Sequence, residues 1–143
     1  MLITPVLFLL ATAWFLYNQI LSYQHAQASV KWPSTKGVVT HAHRQLVSID
    51  DYANLTGVKV VYEYRVQKSL YTARTIAFSP KFMKPRRLIL QYQAGKKVKI
   101  HHHPVNPEIA TLEIGVTTAN YVMLLTGGVL FLLATLNLLV QFI

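Results

Sequence analysis

All 19 charged residues of this 143-residue chain lie between Lys31 and Glu113. The 30 residues before that window and the 30 after it carry no charged side chain, and both flanks are strongly apolar. A bilayer core takes about 20 apolar residues per helix, so each flank is long enough to span. The layout predicts two membrane helices bracketing one small basic domain. The expected division is 1–30 for the first transmembrane helix and its juxtamembrane segment, 31–114 for a β-rich domain, and 115–143 for the second helix. A second domain does not fit.

The first span reads from Leu2 to Leu21, with Trp14, Tyr17 and Tyr23 toward its end as an aromatic belt. A cleavable signal peptide is the rival reading, with Ala26-Gln27-Ala28 as a small-x-small site. The absent positive n-region and the long apolar run count against it. The second span reads from Tyr121 to Ile143, starting as early as Val116. Gly127, Ala134, Asn137 and Gln141 fall near one helical stripe of it, with Gly128 adjacent; Ala11, Asn18, Ser22 and His25 do the same on the first helix. Small and polar residues let membrane helices approach closely and hydrogen-bond. The two stripes either face each other or meet another membrane protein or a second copy of the chain. No charged residue lies inside either span, which argues against a proton relay or ion-coupled path.

The net charge of +9 sits entirely in the middle segment. Beside a membrane this reads first as attraction to lipid headgroups or as topology signal, and no nucleic-acid partner is expected. Lys31 and Lys36 follow the first span, so the positive-inside rule places the β domain in the cytoplasm and both termini outside. The chain has no cysteine, which removes disulfides, thiolate metal sites and cysteine nucleophiles. Trp32 is expected to anchor at the lipid interface.

The middle segment alternates. In Val58–Val66 the residues Val58, Val60, Tyr62, Tyr64 and Val66 fall on one face, and Lys59, Glu63 and Arg65 on the other. That period of two marks a half-buried strand. Strands are also predicted from Gly37 to His43, from Leu70 to Ile76, from Val98 to His102 and from Ala110 to Ile114, with a hairpin at Gln67-Lys68-Ser69. Pro85 opens a short helix. The fold class is a membrane α+β protein: two transmembrane helices flanking a small antiparallel sheet or partly open barrel of about five strands.

The run Trp32-Pro33, Gly37-Val38-Val39, Tyr62-Glu63-Tyr64, Gly95, Val98 and His103-Pro104-Val105-Asn106-Pro107 resembles the bacterial membrane family catalogued as domain of unknown function 3592. The resemblance implies a β-rich domain between two membrane helices and no assigned activity. His102 and His103 stand where that family often has Tyr and Asp, and Lys68 where its hairpin commonly carries Gly.

Three side-chain groups merit a chemical reading. His101 and His103 share a strand face, as do His41 and His43; neighbouring strands would let four imidazoles converge on zinc or copper. The blander reading is interfacial polar residues, and no cofactor is expected. Asp50-Asp51 fits a solvated turn better than acid–base work. Lys81, Lys84, Arg86 and Arg87, interleaved with Phe82, Met83 and Leu88, form the densest basic–apolar patch, suited to lipid phosphates or an acidic partner. No Gly-rich phosphate loop, Ser-His-Asp set or zinc-protease motif is present. The expected function is a non-enzymatic accessory or scaffolding subunit of the bacterial inner membrane. A His-dependent metalloprotein and a self-associating oligomer are the alternatives.

Overall fold

The computed structural model describes residues 3–44, 57–79 and 84–143. Two helices, α1 (Ile3–Ser29) and α3 (Thr118–Val140), are long and apolar enough to cross a membrane. They flank a five-stranded antiparallel half-barrel of order β3-β2-β1-β4-β5. The strands are β1 (Ser34–Arg44), β2 (Val58–Val66), β3 (Ser69–Ala73), β4 (Lys97–His102) and β5 (Ala110–Thr111), with the short helix α2 (Pro85–Gln91) between β3 and β4.

β2 follows its alternation. Val58, Val60, Tyr62 and Tyr64 are buried, while Glu63 and Arg65 are exposed. Its inner face builds the core with Val39, Ile76, Leu88, Tyr92, Ile100, Ala110 and Leu112. Two of the three tyrosine hydroxyls in this core reach carbonyls: Tyr62 donates to Thr75 O at 2.7 Å and Ala110 O at 3.1 Å, and Tyr64 donates to Pro107 O; the third, Tyr92, donates to Glu113 Oε1 at 2.7 Å. A buried phenol needs such a partner, because an unpaired one costs about 1–3 kcal/mol. Pro85 opens α2, as its missing N–H allows, and Leu88 of that helix enters the core.

β1 is the middle strand. It pairs with β2 on one edge (Gly37↔Tyr64) and with β4 on the other (Gly37↔Val98). Gly37 is required there: a Cβ would overlap Ile100 Cδ1 and the Glu63 carbonyl oxygen. A register shift between Val39 and His41 changes the strand's phase, so Val39 and Ala42 both face the core. The β2–β3 hairpin turns through Gln67 at φ 57°, a left-handed conformation for which glycine is better suited.

α1 runs eight residues past the expected end at Leu21. Its 27 residues measure about 40 Å at 1.5 Å per residue, more than a ~30 Å hydrocarbon core. β3 and β5 are shorter than expected, because Ile76 and Glu113 leave the strands to bond each other: Glu113 N donates to Ile76 O at 2.7 Å.

The two helices pack antiparallel through a narrow seam. The buried positions are Pro5, Thr12, Gln19 and Ala26 on α1, and Asn120, Gly127 and Ala134 on α3. Both series step by seven, the repeat of a left-handed pair. The register is consistent along the hairpin. Tyr23 meets Tyr121 at 5.7 Å between centroids, and a Cβ on Gly127 would lie 3.2–3.3 Å from Leu16 and Phe15. The hydroxyls of Thr12, Thr126 and Thr135 bond carbonyls one turn back, so they are satisfied within their own helices.

Candidate functional site

Two features beyond the core are built from several elements: a collar where the helices meet the half-barrel, and a basic outer face on β1 and β4.

The collar is aromatic and hydrogen-bonded. Trp32 is only 7% exposed. Its ring meets Phe78 at 5.5 Å, His103 at 5.3 Å and His25 at 6.2 Å, and His25 meets Phe78 at 5.0 Å. Trp32 is thus part of a packed joint and does not lie free at a lipid interface. The polar contacts around it cross between elements. Ser29 Oγ accepts from Gly115 N at 3.1 Å, Asn120 Nδ2 donates to Phe78 O at 3.0 Å, and the Ser79 and Thr117 hydroxyls bond each other. Asn120 also accepts from Thr117 N at 3.0 Å and so caps α3. The half-barrel is therefore fixed to both helices through specific bonds.

One wall of the collar is the loop after β4. His103 Nδ1 accepts from the backbone N–H groups of Val105 and Asn106, each at 3.1 Å. A carboxylate performs that task in an Asx turn, which accounts for a histidine where the resemblance expects Asp. Because Nδ1 is the acceptor, the ring proton lies on Nε2.

The outer face of the sheet is basic. Lys36 stands directly opposite Lys99, and Lys97 is opposite Val38. With Ser34, Thr35 and Val98 they line a shallow groove of about 560 Å³. Like charges directly opposed across a ladder destabilise it, so this face gains from an anionic neighbour. His101, opposite Ser34, has its Nδ1 buried without a partner. Burial and then the Lys99 charge hold its pKa below the ordinary histidine value.

The structure separates the other sequence-predicted groups. His101 pairs with Ser34 at one end of β1, while His41 and His43 lie at the other end opposite Val61 and Lys59. Seven residues of strand put them on the order of 20 Å apart. The four imidazoles do not converge, and the described residues hold no group of three or more His or acidic side chains placed for a metal. His103 lies past the end of β4, and its Nδ1 is committed to the turn there. Of the helix-packing set, Gly127 and Ala134 face the seam. Gly128 faces open space. Asn18 bonds Trp14 O of its own helix at 2.8 Å. Asn137 and Gln141 bond each other at 3.4 Å, beside Thr4, Pro5 and Phe8. The α1 seam is one residue round from the Ala11–Asn18 stripe. Of the basic patch, Lys84, Arg86 and Arg87 are exposed at the start of α2, and Lys81, with Phe82 and Met83, lies outside the described residues. Asp50 and Asp51 lie outside them too.

Sequence reasoning missed the Lys36–Lys99 face. The alternation of Lys97 and Lys99 marks one side of β4, but nothing local says that β4 pairs with β1.

No curated protein and no solved structure matches the chain. A family model described as Domain of unknown function (DUF3592) matches residues 35–117, from the first residues of β1 to the cap of α3. The matched segment is the half-barrel that the two helices flank, more than half of the chain, and the protein belongs to that DUF3592 family.

Proposed function

We propose that the protein is a non-enzymatic accessory subunit of the bacterial inner membrane, presenting a rigidly held basic half-barrel to an acidic partner protein. The observation that carries this reading is the Lys36–Lys99 pair, with Lys97 beside it. Three ammonium groups on adjoining strands have no acidic partner among the described residues, and an anionic surface would relieve their repulsion. The collar supports the same reading. A domain bonded to both helices is held in one orientation to the bilayer, which suits positioning a bound protein. The buried hydroxyls of Tyr62, Tyr64 and Thr111 are all spent on backbone carbonyls, so they serve the fold. The half-barrel lies in the cytoplasm and both termini outside, in keeping with Lys31 and Lys36 next to the first span.

The test is charge reversal on the outer face. The Lys36→Glu/Lys99→Glu variant, extracted in mild detergent, should lose the acidic protein that co-purifies with the wild type, and high salt should release the same protein. Retention of an unchanged set of partners at low salt refutes the proposal. A reporter fused to either terminus checks the orientation.

A further inference from the structure

The collar holds an open cleft of about 590 Å³, lined by Gln24, Gln27, Ala28, Lys31, Trp32, His103 and Pro104. Pockets for small molecules typically run about 300–1,000 Å³. Gln24, Gln27, Ala28 and Lys31 follow the i, i+3, i+4, i+7 spacing of one helical face. The His103–Pro104 loop and the buried Trp32 complete the lining.

The cleft's lining carries no acidic side chain. Lys31 Nζ has no acidic partner among the described residues. His103 has its Nδ1 committed to two backbone N–H groups, so its remaining ring nitrogen carries a proton and has no acceptor among the described residues. Gln24 and Gln27 add amide N–H groups. A cation, a ring N–H held in place by its turn and two amides around one opening suit a phosphate oxygen.

The position of the cleft identifies which phosphate. It lies where α1 emerges from the apolar layer. Followed back into the span, the same face of α1 carries Ile20, Tyr17 and Leu10, all exposed. This is a continuous apolar track leading away from the donors, as an acyl chain requires. Donors at the headgroup level with an apolar track below them match a whole phospholipid better than a free anion.

We propose that this cleft is a specific site for one anionic phospholipid, its phosphate held by Lys31 and His103 and its acyl chains lying along Ile20, Tyr17 and Leu10. The proposal depends on the membrane placement of α1 and not on the acidic partner of the outer face.

The experiment is native mass spectrometry of the full chain in detergent, titrated with phosphatidylglycerol. The wild type should retain one lipid. Lys31→Gln should weaken retention about tenfold, the order expected for one lost charge-assisted contact. His103→Asp keeps an acceptor for the two N–H groups, so the turn survives; it removes the ring donor and adds a negative charge, and should abolish retention. Lys97→Gln, on the outer face, should retain the lipid like the wild type, whether or not it binds the acidic partner. Four results overturn the proposal: wild-type retention by Lys31→Gln and His103→Asp, equal loss in Lys97→Gln, equal retention of phosphatidylcholine, or displacement of the lipid by inorganic phosphate. The last would make the cleft a site for the free anion.

Discussion

Adjacent glycines on α3 give a sharp test of how the helical hairpin is held. Gly127 faces α1 and Gly128 faces away, so the same substitution should have opposite outcomes one residue apart. At Gly127 a Cβ would sit 3.2 Å from Leu16 Cδ1 and 3.3 Å from two carbons of the Phe15 ring. Those are side-chain atoms able to shift by a few tenths of an ångström. Gly127→Ala should therefore fall near neutral, the crowding offset by the roughly 1 kcal/mol by which Ala exceeds Gly in helix propensity. Leucine adds three further carbons to a gap already closed. Carbon atoms pack at about 3.5–4.0 Å, so the helices must separate or Phe15 must leave its rotamer. Overpacking of this kind costs about 1–3 kcal/mol, roughly a 5- to 150-fold change in the equilibrium constant. A Cβ on Gly128 meets nothing within 4 Å, so Gly128→Leu should stay within about 0.5 kcal/mol of the wild type. The cysteine-free chain allows unique labelling. Ile3→Cys with Gln141→Cys places one fluorophore near the far end of each helix, and energy transfer between them follows separation as denaturing detergent is titrated in. Equal destabilisation by the two leucines, or no effect of Gly127→Leu, would refute the seam described here.

Three further outcomes follow from the half-barrel. Gly37→Ala should cost about 3 kcal/mol or more, because its Cβ meets backbone as well as Ile100 and must push β1 away from β2; denaturant unfolding of the sheet followed by circular dichroism measures this. Gln67→Gly should instead raise the unfolding midpoint by an amount worth about 1 kcal/mol, since glycine adopts the +57° φ without penalty. Above pH 10 the domain should lose stability. Burial pushes the phenol of Tyr64 up to about 12, with smaller contributions from Tyr71 and Glu108, and burial raises Tyr62 and Tyr92 as well. A raised folded-state pKa gives a contribution fully present below the unfolded value of about 10 and lost as pH rises through the folded one. Tyrosinate absorbance and unfolding should therefore appear together between about pH 10 and 12, and three tyrosines titrating normally in the folded protein would contradict it.

Local patterns made much of the fold legible. The alternation from Val58 to Val66 fixed that strand and its buried face, and Pro85 marked the start of α2. Both depend only on neighbours along the chain. What the sequence left open depends on partners far away in it. His41 and His43 do share a face, as do Lys97 and Lys99, but which end of β1 meets β4 is a matter of register between strands more than fifty residues apart. That register sends the histidines to opposite ends and brings Lys36 onto Lys99. The α1 seam shows a different limit. Ala11 and Asn18 differ from Thr12 and Gln19 by one residue, about 100° of helix, and a span with small or polar residues on several faces does not show which face is used. Trp32 shows a third: an aromatic residue after a span looks the same whether it faces lipid or, as here, packs on Phe78 and His103.

The attachment of the half-barrel has a mechanical side. α1 leads within a few residues into β1, the strand bonded along both edges, whereas α3 is reached from β5, a strand of only two residues at the sheet's margin. Load arriving through the first leg spreads over two ladders at once. Load arriving through the second leg falls on β5 and on the few bonds made by Ser29, Ser79 and Asn120. The second leg should yield first under tension, leaving the sheet whole and still tethered by the first.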